Sequence, residues 1–182
     1  MITKYETFEQ FVNDSNNLDS VKIYYCGNIN KELFISLVDN NNVVGGLYCG
    51  SPPTGEKHLA VMKVGISDEF KGKGYGSLLY IATLSLVGDT GISPHRRKGS
   101  SRLDSQNVWK RLSEKGYIKR VDLEKKLYDN NPLLDSKYVL IDENLKNKTL
   151  QRIKKLSDNA WDENEINKKA WEIVNKHMAI DI

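Results

Sequence analysis

Apolar residues along this chain fall into short, nearly continuous runs and into stretches with helical spacing. The runs predict strands over residues 21–26, 33–38, 43–48, 58–66, 91–93, 117–122 and 137–141. The helical spacing predicts a short helix from Thr7, then helices over 75–87 and 105–115. Residues 58–66 are almost all apolar, as in a central strand covered on both faces. The order predicts an α/β fold, with a mixed, mostly antiparallel sheet and helices on both faces.

The runs at 33–38 and 43–48 flank the turn-forming segment Asp39-Asn40-Asn41-Asn42. This arrangement is typical of a β-hairpin, and we expect a loop longer than two residues.

Beyond Asp142 the composition changes to Lys, Asn, Glu and widely spaced apolar residues, which divides the chain into a core over 1–142 and an extension over 143–182. Leu150, Ile153, Lys154 and Leu156 suggest one helix, and an apolar stripe over 166–178 suggests another. We expect a helical hairpin that packs back on the sheet. The alternative is a homodimer or partner surface anchored by Trp161 and Trp171.

Composition narrows the function classes. A chain of 182 residues can bury one substantial core, and its net charge of +3 permits a nucleic-acid partner without requiring one. No run of 18 apolar residues occurs and the N-terminus lacks a signal-peptide pattern, so we expect a cytoplasmic protein with no membrane contact. Cys26 and Cys49 lie in strand-like segments and suggest buried thiols. The three histidines show no metal-ligand spacing.

The most informative segment runs from Val64 to Ser77, where a strand leads through a basic, glycine-spaced turn into a helix. Glycines at 72, 74 and 76 let backbone N–H groups and the positive helix end converge on an anion. The segment lacks the Lys-Ser/Thr of a P-loop. The dinucleotide-binding fingerprint Gly-x-Gly-x-x-Gly does not fit either, because Ser77 stands at its third glycine. The next strand-like segment ends in Pro94 and not in the acidic residue that would bind a ribose.

The segment resembles the acyl-CoA loop of the Gcn5-related N-acetyltransferase (GNAT) superfamily, [RQ]-x-x-G-x-[GA] after a strand. The match is Lys71-Gly72-Lys73-Gly74-Tyr75-Gly76, with Lys71 in place of Arg or Gln. The helix that begins at Ser105 ends in Glu114-Lys115-Gly116-Tyr117, similar to the Lys-x-Gly-Phe that ends the family's second cofactor helix.

The resemblance implies acetyl-CoA as the acyl donor and an amine as the acceptor. The pyrophosphate of acetyl-CoA would rest on the backbone of residues 71–76 and on Ser77. The pantetheine arm of acetyl-CoA would run antiparallel to the strand ending at Ile66. The N–H of Ile66, or of Val64 or Gly65, would stabilise the negative charge on the thioester oxygen. Direct attack by the amine requires alignment and proton transfer but no covalent enzyme intermediate.

The chain departs from the family pattern at the groups that move protons or touch the cofactor. The Asn that often contacts the cofactor in the family corresponds to Ser105, and the Tyr that often protonates the thiolate corresponds to Leu112. Residues 58–66 carry no acidic side chain, although the family's general base is often found on this strand. His58 and Glu56 are candidate bases, ahead of Tyr117, Asp104 and Tyr48. If none of these residues acts as the base, protons move through water, the acceptor amine arrives partly neutral, or the fold is inactive.

A basic loop precedes the second helix and carries Arg96, Arg97, Lys98 and Arg102. The layout of residues 57–141 is similar to acetyltransferase-like proteins encoded by bacteriophages, which would place the protein in the host cytoplasm. These cations are candidates to bind the coenzyme 3′-phosphate, a nucleic-acid acceptor or an acidic protein; the alternative is a solvated loop.

Two functions remain open from the sequence. One is an acetyl-CoA-dependent N-acetyltransferase whose acceptor is a protein, a nucleobase or a small molecule. The other is an idle GNAT fold that binds a host factor or nucleic acid. An intact phosphate loop favours the enzyme.

Overall fold

The computed structural model describes residues 6–13, 20–52, 56–94, 103–124, 135–159 and 164–178. Its helices are α1 (Glu6–Asn13), α2 (Tyr75–Val87), α3 (Leu103–Glu114), α4 (Glu143–Leu150) and α5 (Glu165–Met178). Its strands are β1 (Val21–Asn28), β2 (Glu32–Asp39), β3 (Asn42–Gly50), β4 (Leu59–Ile66), β5 (Ile92–Ser93), β6 (Ile118–Asp122), β7 (Ser136–Leu140) and β8 (Ile153–Ser157).

The described strands form one sheet in the order β6-β7-β5-β4-β3-β2-β1-β8. The β4–β5 and β1–β8 pairs are parallel and the other neighbours are antiparallel. The predicted mixed, mostly antiparallel α/β sheet is therefore confirmed.

Helix α2 fills the centre of one face of the sheet. Leu78, Leu79, Ile81 and Leu84 on it are fully buried, and its contacts include β2, β3, β4, β5 and β7. Helices α1, α3 and α4 pack beside it. A helix that is apolar all round must be enclosed in this way, and its N-terminus is thereby fixed beside the end of β4.

Helix α5 covers the opposite face, so this part of the extension packs back on the sheet as predicted. Ala170 and Val174 are buried against Cys26 and Phe34. Gly46 permits the close approach, since a Cβ there would lie 3.2 Å from a Val174 methyl group. Trp171 packs edge-on against Phe34 and Tyr48, with ring centroids 5.3 and 5.7 Å apart. The homodimer stays a prediction.

A buried polar network fixes the position of α5 along the strands. The Ser36 hydroxyl donates to Asn167 Oδ1 at 2.8 Å, and Asn167 Nδ2 donates to Cys26 Sγ at 3.3 Å. All three residues are at most 2 % exposed. Because a buried amide requires partners, this network favours one register of α5 on the sheet.

The prediction of a longer hairpin loop between β2 and β3 was wrong. Asp39 pairs with Asn42, which leaves a two-residue turn. Both turn residues, Asn40 and Asn41, have positive φ (49° and 66°). Positive φ at both central positions is typical of a type I′ turn, and Asn tolerates this conformation better than most residues.

The prediction of a helix through Ile153, Lys154 and Leu156 was also wrong. Helix α4 ends at Leu150, and Ile153–Ser157 forms β8, which runs parallel to β1 at the edge of the sheet. The extension therefore contributes a strand as well as helices. The division of the chain at residue 142 stays a prediction.

None of the helices in the described part of the chain is both long and apolar enough to cross a membrane.

Candidate functional site

A cleft begins where β4 and β5 stop pairing. Strand β4 pairs with β3 from Ala60 to Ile66, but β5 accompanies it only at Leu59 and Ala60 in the described sheet. The register with β3 skips Met62, so β4 carries a β-bulge beside this point. Bulges bend a strand and increase its twist. We call the space along β4 beyond Ala60 the β4–β5 cleft.

The pairing with β3 identifies the backbone groups that face this cleft. The N–H of Ser67 donates to Val44 on the β3 side at 2.8 Å. Successive N–H groups of a strand point to opposite edges. The N–H groups of Ile66 and Val64 therefore face the cleft, whereas that of Gly65 faces β3. The geometry favours Ile66 and Val64 over Gly65 as donors in the cleft.

The loop from β4 to α2 has the backbone that its glycines allow. Gly72 and Gly74 adopt φ of 81° and 94°, a region that side chains disfavour. A Cβ added at Gly72 or at Gly76 would meet no atom of the described residues within 4 Å. In this part of the structure, space is therefore open over the loop and over the first turn of α2.

The N-terminus of α2 presents donors to that space. The first helical hydrogen bond runs from the N–H of Leu78 to the carbonyl of Gly74 (3.3 Å), so the preceding N–H groups have no acceptor within the helix. Gly74, the N-cap residue, has no side chain with which to cap them. These donors and the helix dipole form an anion-binding arrangement.

Helix α1 holds the loop in place. The carbonyl of Lys73 accepts hydrogen bonds from the N–H groups of Thr7 (3.0 Å) and Phe8 (3.4 Å). The carbonyl of this residue therefore turns toward α1. This contact could not be read from the sequence, because the two segments are more than 60 residues apart.

The two loop lysines lie close to the loop itself. Lys71 Nζ is 2.9 Å from Asp68 Oδ1, with half of the lysine side chain exposed. Lys73 Nζ lies 5.8 Å from the centroid of the Phe70 ring. Both are weak, exposed interactions that a phosphate can displace.

Tyr75 has a structural side chain. Its hydroxyl donates to Asp39 Oδ2 at 2.5 Å, and its ring packs edge-on against Phe70 at 5.9 Å. Burial, with the Asp39 hydrogen bond, raises its pKa to about 12. Among the atoms of Tyr75, the backbone N–H is thus the group that remains for an anion.

Ser77 is buried in the first turn of α2, and its hydroxyl accepts a hydrogen bond from the guanidinium of Arg111 on α3. Sequence reasoning missed Arg111. A residue in an amphipathic helix, 34 positions from Ser77, gave no signal of this contact.

The structure does not bring the candidate catalytic residues together. His58 is 5 % exposed, lies 3.6 Å from Glu56 and precedes β4. Ile66 ends β4, about 26 Å away at the usual strand rise. Tyr117 packs edge-on against Phe8 of α1 (6.0 Å), and burial raises its pKa. Tyr48 donates to Glu32 at 2.7 Å on the α5 side of the sheet.

The remaining predicted residues are beyond structural description. The basic loop, with Arg96, Arg97 and Arg102, lies outside the described residues. Ser105 and Asp104 lie on the first turns of α3, and nothing is described of their side chains.

Comparison with known protein families gives one match. The model of the Acetyltransferase (GNAT) family matches residues 4–113, which include the β4–β5 cleft, the glycine loop and nearly all of α3. No curated protein and no solved structure is significantly similar to the chain. A match over more than half of the chain, which includes the glycine loop, shows that this protein belongs to the GNAT acetyltransferase family.

Proposed function

We propose that this protein is an N-acetyltransferase that binds acetyl-CoA in the β4–β5 cleft and transfers its acetyl group to an amine. The observation that carries the proposal is the uncapped N-terminus of α2, which follows the two positive-φ glycines of the loop. GNAT members generally use acetyl-CoA as the acyl donor.

The residues present fit this cofactor. Space over Gly72 and Gly76 allows a phosphate to approach the backbone N–H groups of Tyr75, Gly76 and Ser77. Beyond Ala60 the N–H groups of Val64 and Ile66 point to the side of β4 where an extended pantetheine arm would lie. When bound, acetyl-CoA supplies an acyl group activated as a thioester.

The main catalytic contributions of this chain are alignment and electrostatics. The N–H of Ile66 or Val64 stabilises negative charge that develops on the thioester oxygen, a task independent of side-chain identity. The loop and the cleft hold the donor at a fixed position relative to an incoming amine. His58 precedes β4, about 26 Å from Ile66 at the usual strand rise, so a role for it as base requires a relay of water molecules to the attacking amine.

The proposal is tested first by binding. Acetyl-CoA should raise the melting temperature of the protein, whereas ATP and NAD at the same concentration should raise it far less. No shift at millimolar acetyl-CoA would remove the main support for a cofactor site.

Catalysis is tested with radiolabelled acetyl-CoA and a bacterial lysate, with label counted separately in the protein, nucleic-acid and small-molecule fractions. Label in one fraction identifies the class of acceptor. A clear thermal shift without transfer to any fraction, at several values of pH, would favour the second candidate, an idle GNAT fold that binds a partner.

We also propose that the basic loop contacts the acceptor. Its support is the sequence alone: Arg96, Arg97, Lys98 and Arg102 lie among small residues without apolar periodicity. Replacing all four by Ser should leave stability within about 0.5 kcal/mol and reduce transfer. For a nucleic-acid acceptor, affinity should also fall with salt by nearly one log–log unit per phosphate contact. Unchanged transfer would assign the loop to solvated surface.

A further inference from the structure

We propose that Arg111 binds the pyrophosphate of the coenzyme from the α3 side of the site, with Ser77 holding its guanidinium in position. This inference rests on the proposed function. It adds to the glycine loop a charged side chain from a different helix, which the glycine loop motif does not contain.

The first observation is the contact between Arg111 and Ser77. Arg111 is half-buried on α3, and its guanidinium donates to the Ser77 hydroxyl in the first turn of α2. Ser77 is 1 % exposed, so the position of its hydroxyl is fixed by packing. The guanidinium is consequently held beside the N–H groups that open α2.

The second observation is electrostatic. The N-terminus of a helix carries a partial positive charge, and a cation close to it is unfavourable. Within the described first turn of α2 no acidic side chain offsets that charge, and Lys73, just before the helix, adds to it. An anion between Arg111 and the helix end would be attracted to both.

The third observation selects the pyrophosphate. The guanidinium meets α2 at its first turn, where the uncapped N–H groups and the space over Gly76 lie. A planar guanidinium can donate two parallel hydrogen bonds to a phosphate while a third N–H retains its contact with Ser77. The proposed site would hold the pyrophosphate at this turn, whereas the 3′-phosphate is separated from the pyrophosphate by the ribose that carries both.

The test compares Arg111→Met, which keeps a long apolar stem, with Lys110→Met. Lys110 is the residue before Arg111 on α3, its side chain is 74 % exposed, and its Nζ lies 4.0 Å from Glu114 Oε1. Both variants lose one positive charge from the same helix, so the pair separates a local contact from a general charge effect. Kd values for CoA, 3′-dephospho-CoA and pantetheine are measured by calorimetry.

Arg111→Met should weaken CoA and dephospho-CoA alike, by about tenfold or more, because each loses a charged hydrogen bond. Its affinity for pantetheine, which lacks the pyrophosphate, should not change, and Lys110→Met should bind all three ligands like the wild type. If Arg111→Met does not fold, Arg111→Lys is measured in its place. This variant keeps the positive charge without the planar guanidinium, so it should show an intermediate loss of affinity for CoA and dephospho-CoA.

Equal affinity of Arg111→Met and wild type for CoA would overturn the inference. A loss with CoA but not with dephospho-CoA would also overturn it, since Arg111 would then contact the 3′-phosphate. If the wild type itself binds no CoA, the proposed function fails and the assignment of Arg111 falls with it. The two failures are therefore distinguishable.

Discussion

The two ends of α2 provide a matched test of the glycine loop. Gly74 precedes the helix with φ 94° and ψ 10°, and Gly88 follows it with φ 59° and ψ −136°. Both conformations are costly for any other residue, by about 1–3 kcal/mol. At Gly88 an added Cβ would meet no atom within 4 Å in the described part of the chain, so the cost there is one of backbone conformation. Valine at either end should therefore lower the melting temperature by about 2–12 °C.

The two variants should differ in their response to the ligand. Acetyl-CoA at about 100 times its Kd stabilises the native state by about 2.7 kcal/mol, which corresponds to about 5–11 °C. Gly88→Val should retain this shift in full, because the C-terminus of α2 lies away from the anion-binding turn. Gly74→Val should lose it, since a side chain would occupy the approach to the N–H groups.

The assay is a thermal melt followed by circular dichroism, with and without acetyl-CoA. The far-ultraviolet spectra of both variants should match that of the wild type at 20 °C. A full ligand shift in Gly74→Val would refute the reasoning and reduce the loop to an ordinary turn. Loss of the shift in both variants would show that backbone strain alone, without a local block, abolishes binding.

Three further predictions concern stability, each measured by urea denaturation. Asn41→Val should destabilise the protein by about 1–2 kcal/mol through its positive φ, whereas Asn41→Gly should not; equal midpoints would contradict the turn geometry. Ser93→Ala should cost nothing or stabilise by up to about 1 kcal/mol, because the buried Ser93 hydroxyl has no hydrogen-bond partner among the described residues; a clear loss would contradict this. The raised pKa of Tyr75 predicts stability that is present below pH 10 and declines as pH approaches 12; Tyr75→Phe should flatten this decline, and an unchanged profile would contradict it.

The sequence carries the signals for the loop and its helix because both are local. Glycine spacing, the preceding apolar run and the all-round apolar character of 75–87 specify the backbone there without reference to distant residues. The structure agrees closely, with α2 beginning at Tyr75 and ending at Val87. The same holds for β4, which is almost entirely apolar because α2 and α5 cover its two faces.

The contacts that complete the site come from tertiary structure and left no local pattern. The carbonyl of Lys73 is held by α1, and Ser77 is held by Arg111 of α3. Strand β8 was missed for a similar reason. Its two central lysines, Lys154 and Lys155, are exposed, and only pairing with the distant β1 makes the segment extended. Pairing of this kind overrides weak local preference.

The placement of α5 has a consequence for how the chain is made. The face of the sheet that contains Cys26 and Phe34 is translated early, but Ala170 and Val174, which cover it, are translated about 140 residues later. At a translation rate of about 5–20 residues per second, that face stays uncovered for about 7–28 s before α5 is synthesised. During synthesis it is an apolar surface open to chaperones or to a neighbouring nascent chain. Codon choice and growth temperature should therefore affect the soluble yield of this protein more than that of a chain whose sheet is closed by its own N-terminal half.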